Sequence, residues 1–184
     1  MHDASHQGRL LVATPSLLDP NFERAVVLLL DHDPDGALGI VLNRPTPRPV
    51  ETVLDGWGRL VAEPALLFTG GPVEQLAVVG LAVGRAGVLV PDRAIAGRIR
   101  AVDLTADPDE VATEVEQVRV FSGYAGWSPG QLEEEIEEGA WVPLDATDQD
   151  VVSADPEQLW RTVLARQQGL LRALADFPDD PRLN

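Results

Sequence analysis

Residues 25–45 read AVVLLLDHDPDGALGIVLNRP and contain the strongest structural pattern in the chain. Two apolar runs, residues 25–30 and 37–42, are joined by residues 31–36, which are rich in Asp, Pro and Gly. Strand-sized apolar runs separated by such a loop predict a β-hairpin. Because neither run alternates between apolar and polar residues, we expect both faces of the hairpin to be covered.

Shorter apolar runs elsewhere predict further strands. These runs are residues 10–13, 65–68, 76–83 and 87–90, and two mixed segments also predict strands: residues 98–104, which alternate weakly, and residues 118–125. Residues 50–60 place apolar side chains at helical spacing, although Gly56 and Gly58 weaken that pattern. Residues 44–49 contain three prolines, which predict a bend without regular structure.

Three helix starts share one pattern: an Asp or Ser, then a proline, and a Glu or Gln three positions after the first residue. This is the capping box with a pre-set first turn. It predicts helices over about residues 108–116, 129–138 and 156–168. In the second helix, Leu132 and Ile136 should face the core, with an acidic outer face. The third helix should bury Leu159, Trp160, Val163 and Leu164.

Composition indicates a folded, strongly acidic protein. The 184 residues suit one domain, and an apolar fraction of 45% excludes general disorder. There are 30 acids against 14 bases, all arginine, and residues 107–157 alone hold 15 acids and one base. We read the acidic half as a solvated surface. Direct DNA binding is not expected, because its affinity comes from many base–phosphate contacts, and the same charge repels anionic membranes.

Several classes of site are excluded by what the sequence lacks. There is no cysteine, so disulfides and thiolate metal sites cannot form. No apolar run approaches the roughly 20 residues of a membrane helix, and no secretory signal precedes residue 8, so we expect a cytoplasmic protein. We expect residues 1–7 to be a mobile arm. No cofactor motif is found, and none is predicted.

One catalytic motif and one metal-binding motif occur in the sequence, but each lacks a residue that its function requires. Residues 126–130 match G-x-S-x-G, yet Pro129 has no N–H for an oxyanion hole and no histidine follows Ser128. Residues 31–36 match the start of a calcium loop, yet the position of its final acidic ligand is Leu42. We therefore predict no catalytic set and no metal site.

Eight segments together resemble the YqgE/AlgH family. They are GRLLVATP (8–15), LDPNFER (18–24), VVLLLDH (26–32), GALGIVLNRP (36–45), GGPV (70–73), GYAGWSPGQLE (123–133), GAW (139–141) and LW (159–160). The resemblance implies a single compact α+β domain over residues 8–175, with sheets curled into a pseudo-barrel and flanking helices, followed by a C-terminal tail, residues 176–184. It also implies a link to transcriptional regulation, notably of alginate synthesis. The resemblance implies no set of catalytic residues and no cofactor.

Polar residues flanking the two hairpin strands form the candidate binding site. They are Asn21, Arg24, His32, Asn43 and Arg44. We expect them to meet at one end of the hairpin, where Arg24 and Arg44 could hold a carboxylate or phosphate. The alternative is that both arginines bond to backbone groups and to turn carboxylates such as Asp19 or Asp31.

These observations predict a non-catalytic binding or regulatory module that acts through a protein or a small anionic ligand, with any transcriptional effect indirect.

Gly70 and Gly71 are a weaker candidate site, since a turn there could present backbone amides to an anion. A plain sharp turn is the competing interpretation. The enzymatic alternative is a small hydrolase using His32 with Asp35.

Overall fold

The computed structural model describes residues 4–179, which form ten strands and five short α-helices. The strands are β1 Leu10–Ala13, β2 Val26–Asp33, β3 Gly36–Val41, β4 Pro45–Pro49, β5 Leu66–Thr69, β6 Val73–Gly84, β7 Ala94–Ala96, β8 Ile99–Val102, β9 Val115–Trp127 and β10 Trp141–Leu144. The helices are α1 Pro108–Val111, α2 Gln131–Glu137, α3 Asp148–Val151, α4 Leu159–Ala165 and α5 Gly169–Leu174. None of these helices has the length and apolar character needed to cross a membrane.

The strands form one curled sheet in the order β10-β1-β2-β3-β9-β6-β8-β7. Neighbours along this order are antiparallel, while β5 joins β9 in parallel and carries β4 on its other side. Because the order ends at β10 and β7, the sheet curls without closing into a barrel. The predicted α+β domain with a curled sheet and flanking helices is confirmed.

The predicted hairpin is β2 and β3, paired antiparallel from Val27 opposite Val41 to Asp33 opposite Gly36. Residues 26–29 are fully buried, as the absence of alternation predicts. Val26 and Leu28 pack in the cluster that includes α4, whereas Val27 and Leu29 pack in the cluster that includes α2. Helices therefore cover both faces of the hairpin. The four residues predicted to be buried in α4 are buried.

Three sequence predictions are wrong. Residues 45–49 form β4, because three prolines are tolerated in a strand that pairs on one side only, here with β5. Residues 50–60 form one 3₁₀ turn, Val50–Thr52, followed by turns, since Gly56 adopts a φ of +85° that ends helical geometry. Residues 87–90 form a loop rather than a strand.

The three predicted helix starts are only partly right. Asp107 does cap α1, accepting from the Asp109 N–H, but the helix ends after one turn because the chain enters β9. Ser128 donates its N–H to the Gln131 side chain at 3.0 Å, and α2 begins at Gln131, later than predicted. After Asp155 the first turn is 3₁₀ and has no side-chain cap. A full capping box lies instead at Thr147, before α3.

Both chain ends contact the domain where they are described. In the predicted arm, residues 1–7, the Ser5 hydroxyl donates to the His32 carbonyl at 2.9 Å, and residues 1–3 lie outside the described part of the chain. In the predicted tail, residues 176–184, Phe177 packs against the core, and residues 180–184 lie outside the described part. Each described end therefore makes at least one contact with the domain.

Candidate functional site

The two ends of the β2–β3 hairpin divide the predicted site. In an antiparallel hairpin, residues before β2 lie beside residues after β3. This brings together Asn21, Arg24, Asn43 and Arg44, which line two adjoining pockets of about 560 and 280 Å³. His32 lies near the turn, at the opposite end of the hairpin, in a separate pocket. Four of the five predicted residues therefore meet, and His32 does not join them.

Asn43 holds the open end of the hairpin together. Its side chain is buried, accepts from the Val26 N–H at 3.0 Å and donates to the Arg24 carbonyl at 2.9 Å. Arg24 has a φ of +55°, a left-handed conformation that costs a residue with a Cβ about 1–2 kcal/mol. The bond from Asn43 fixes Arg24 in that conformation, so Asn43 positions the arginine.

The Arg24 guanidinium lies in the larger pocket, which we call the Arg24 cleft and which is lined by Arg24, Arg44, Arg161, Trp160, Glu23 and Asp179 among others. The guanidinium stacks over the Trp160 ring, 4.5 Å from its centroid. It donates to the Pro178 carbonyl at 2.5 Å and reaches the Asp179 carboxylate at 3.2 Å. Stacking fixes the plane of the guanidinium and leaves its edge to bond oxygen atoms.

Arg161, on α4, reaches the same carboxylate. Its guanidinium contacts Asp179 at 2.7 Å and donates to the Phe177 carbonyl at 3.0 Å. Arg24 and Arg161 thus converge on one carboxylate from two different elements. Three guanidinium groups and three carboxylates line the cleft, so its charges balance within a protein of net charge −16.

Arg44 separates the larger pocket from the smaller one and lines both. Its guanidinium donates to the Glu23 carbonyl. Burial lowers the pKa of the Arg44 guanidinium, and the Glu23 carboxylate partly opposes that shift. The smaller pocket adds neutral polar groups, among them Asn21 and Thr69.

The alternative interpretation, in which both arginines bond backbone groups and turn carboxylates, is correct in part. Both donate to backbone carbonyls, as that interpretation expects. The carboxylate that Arg24 reaches is that of Asp179, near the end of the described chain, rather than Asp19 or Asp31. Asp19 instead accepts from the Asn21 N–H at 2.8 Å and closes a local turn.

Gly70 and Gly71 serve close packing. The Gly70 N–H donates to the Ser122 carbonyl at 2.8 Å, so that amide is not offered to an anion. A Cβ would lie 2.3 Å from the Gly123 carbonyl oxygen at Gly70, and 2.1 Å from the Tyr124 carbonyl at Gly71. The sharp-turn interpretation therefore fits, and an anion site built on the Gly70 amide does not.

His32 is a buried strand residue, not a loop residue. Its Nδ1 accepts the His6 N–H at 2.9 Å, so the ring proton lies on Nε2, which bonds the Glu133 carboxylate at 2.6 Å. The His6 ring stacks on it with 5.6 Å between centroids. The His32 bond lowers the pKa of the Glu133 carboxyl. The hydrolase alternative named Asp35 as the partner, and that role is taken by Glu133.

Helix α2 also has acidic side chains on the side that contacts the sheet. Glu133 binds His32, and Glu135 accepts from the indole N–H groups of Trp127 and Trp141, each at 2.9 Å. Leu132 is buried between them, as predicted. Two of the acids in this run therefore dock the helix onto the sheet, so the solvated-surface interpretation fails for Glu133 and Glu135, whereas Glu134, Glu137 and Glu138 are exposed.

Sequence reasoning missed Arg161, Asp179 and Glu133 as neighbours of the predicted residues. Trp160 was predicted only as a core residue, yet it also supports Arg24. These residues are more than 100 positions from their partners in the chain, and no local pattern links them. No group of three or more His, Asp or Glu side chains within residues 4–179 is arranged to hold a metal ion.

Comparisons with known proteins give one consistent family. A family model described as AlgH-like matches residues 10–172. A UPF0301 protein of Streptomyces coelicolor is 54% identical, with 98% of this chain and 96% of that protein covered. A UPF0301 protein of Mycobacterium tuberculosis is 46% identical, with 94% and 88% covered.

Two solved structures are similar along nearly the whole chain. The crystal structure of protein DIP2367 from Corynebacterium diphtheriae has a TM-score of 0.90 at 34% identity, covering 96% of this chain and 95% of that one. The solution structure of the AlgH protein from Pseudomonas aeruginosa has a TM-score of 0.66 at 26% identity, covering 98% and 100%. These likenesses specify a fold and a family, but no substrate or reaction.

Proposed function

The chain belongs to the AlgH-like family, and we propose that it is a non-catalytic binding module whose Arg24 cleft holds the carboxylate or phosphate group of a partner molecule. The observation that carries this proposal is the convergence of Arg24 and Arg161 on one carboxylate, at 3.2 and 2.7 Å. That carboxylate occupies the position where an anionic group of a partner would bind.

The chemistry of the cleft suits an oxyanion. Guanidinium groups present several N–H donors in one plane, which matches the paired oxygens of carboxylates and phosphates. The Arg24 and Arg161 side chains are 20% and 30% exposed, so a ligand would reach them without unfolding the domain, yet they are shielded enough to bind more strongly than surface arginines. Trp160 holds Arg24 in place beneath the ligand.

Binding is favoured over hydrolysis because the most reactive candidate residue is already engaged. Both ring nitrogens of His32 have partners, the His6 N–H and the Glu133 carboxylate. A general base needs a free nitrogen lone pair within reach of a substrate proton. We therefore propose a role without turnover.

Any effect on transcription is proposed to be indirect, through a partner protein in the cytoplasm. A net charge of −16 opposes association with duplex DNA, whose binding depends on neutralising phosphates. A gel shift with duplex DNA should be absent at about 200 mM salt, where weak phosphate-driven binding is lost. A complex that persists at that salt concentration would contradict this part of the proposal.

Calorimetric titration with citrate and with inorganic phosphate tests anion binding. The wild-type chain should bind at least one of them saturably, and Arg24→Ala should weaken binding by about tenfold or more, since it removes a charged hydrogen-bond donor. Arg59→Ala is the matched control, because Arg59 is 89% exposed and lies outside the cleft. Equal affinities for both variants, or no binding to the wild type, would refute the proposal.

A further inference from the structure

We infer that Pro178 and Asp179 occupy the Arg24 cleft as an intramolecular competitor, and that the partner they exclude is an extended acidic peptide segment of another protein. This inference rests on the proposed anion-binding function and specifies both its ligand class and its regulation. Three neighbouring residues present acceptors to the arginines of the cleft: the Phe177 carbonyl, the Pro178 carbonyl and the Asp179 carboxylate.

The bonds to the main chain favour a peptide over a small anion. Arg24 donates to the Pro178 carbonyl at 2.5 Å, and Arg161 donates to the Phe177 carbonyl at 3.0 Å and to the Ala175 carbonyl. The Arg161 bonds to residues 175 and 177 stay in place during exchange, so the acceptors that a partner replaces are the Pro178 carbonyl and the Asp179 carboxylate. A peptide provides both kinds of acceptor in this spacing, whereas phosphate or citrate provides only the anionic part.

The end of this segment is accessible to a competitor. The Asp179 side chain is 84% exposed, so another carboxylate can approach the two guanidinium groups and displace it while the domain stays folded. Phe177, in contrast, packs against the core beside α5. Exchange therefore requires release of Pro178 and Asp179 only, while Phe177 stays in place and the domain remains folded.

Charge favours an acidic replacement. With Asp179 in place, the guanidinium groups of the cleft are balanced by Glu23, Glu157 and Asp179. When Asp179 leaves, one positive charge is left without a counter-charge in the lining. A segment with a carboxylate at the same position restores that balance, and a neutral segment does not.

The test compares the full chain with a chain that ends at residue 177 and is amidated there, which keeps Phe177 and adds no new carboxylate beside Arg24 and Arg161. Both are titrated by calorimetry with a peptide of residues 178–181, acetylated and amidated at its ends, and with the same peptide carrying Asp179→Asn and Asp180→Asn. The shortened chain should bind the acidic peptide about five- to tenfold more tightly than the full chain does, because the competitor is absent. The neutral peptide should bind neither chain.

A second variant controls for the possibility that shortening the chain damages the fold. Asp179→Asn in the full chain keeps the backbone acceptors of residues 177 and 178 but removes the competing charge, and it should raise peptide affinity in the same direction. Equal affinities of all three chains would overturn the competitor role. If citrate and phosphate bind but the acidic peptide does not, the peptide class is wrong while the proposed function stands. If no anion or peptide binds, the proposed function fails as well.

Discussion

Gly71 shows how tightly the backbone segments around the smaller pocket approach one another. A Cβ at this position would lie 2.1 Å from the Tyr124 carbonyl carbon and oxygen, which are backbone atoms of β9 that cannot move aside. The residue also has a φ of +155°, at the edge of the region that favours glycine. Close packing, rather than anion binding, therefore explains why glycine is needed here.

Gly71→Ala is expected to destabilise the domain by about 3 kcal/mol or more, because the added methyl group must displace backbone. Gly87→Ala is the matched control, since Gly87 also has a positive φ, +80°, but has nothing within 4 Å of a Cβ. It should lose only about 1 kcal/mol. Urea unfolding measures both changes, and equal losses would show that steric overlap at Gly71 is not the cause.

The Glu133 carboxylate links stability to pH. Its pKa is lowered, first by the hydrogen bond from His32, so the folded state favours the charged form. For a group whose folded pKa is lowered, the stabilisation is present above the unfolded pKa and is lost as the pH falls through the folded pKa. The affected range therefore lies below the usual Glu value of 4.5.

Glu133→Gln removes this titrating group while keeping the shape of the side chain. The wild type should be more stable than the variant near pH 6, by an amount on the order of 1 kcal/mol, and the difference should shrink toward about pH 3. Chemical unfolding across this range measures it, with Glu134→Gln on the same helix as control. A difference that stays constant with pH would contradict the role of the His32–Glu133 bond.

Only the part of the site that follows from the geometry of the hairpin could be predicted from the sequence. Residues 21–24 and 43–44 flank the open end of the hairpin, so their proximity follows from antiparallel pairing. His32 precedes the turn, and the same geometry places it at the far end, which the prediction of one shared site overlooked. Its partner Glu133 comes from α2, whose docking depends on packing that no local pattern encodes.

At the scale of elements, the open end of the hairpin depends on Asn43. This side chain links the first residue of β2 to the Arg24 carbonyl. Arg24 precedes β2 and leaves the sheet at a positive φ, so strand pairing alone does not hold it in place. The Asn43 side chain provides the missing hydrogen bonds. If the amide were removed, the buried Val26 N–H and the partly buried Arg24 carbonyl would both lose this partner.

Asn43→Ala is expected to cost about 2–4 kcal/mol, since each unsatisfied buried group costs about 1–3 kcal/mol. It should also weaken anion binding, because Arg24 loses the bond that orients its backbone. Asn21→Ala, at an exposed position in the adjoining smaller pocket, should change the unfolding free energy by less than about 0.5 kcal/mol. If Asn43→Ala is as stable as Asn21→Ala in thermal and urea unfolding, the positioning role is wrong.

Elements with strong local patterns could be predicted, and elements set by tertiary contacts could not. The two hairpin strands contain uniform apolar runs, and β9 is rich in β-branched and aromatic residues, so the existence of these strands follows from the sequence. β4 is a strand although prolines fill alternate positions, because β5 supplies its pairing and its other edge stays open. α1 has the capping signal of a longer helix, but β9 begins at Val115 and cuts it short.

At the scale of the whole molecule, charge is segregated. Residues 107–157 hold half of the acids and one arginine, whereas the three arginines of the cleft lie outside that segment. The fold thus places a cluster of guanidinium groups in a protein whose overall field repels anions. Binding there must come from short-range bonds, and it is selective because the long-range field opposes weak, unspecific anion contacts.

The most direct measurement is a titration of the chain with citrate and with the acidic peptide of residues 178–181, followed by NMR of the arginine side-chain Nε–H groups. The Arg24 and Arg161 signals should shift saturably with one common dissociation constant for each ligand that binds, while the Arg59 signal stays in place. Signals that do not move, or that all drift together in proportion to added anion, would contradict a specific site at Arg24.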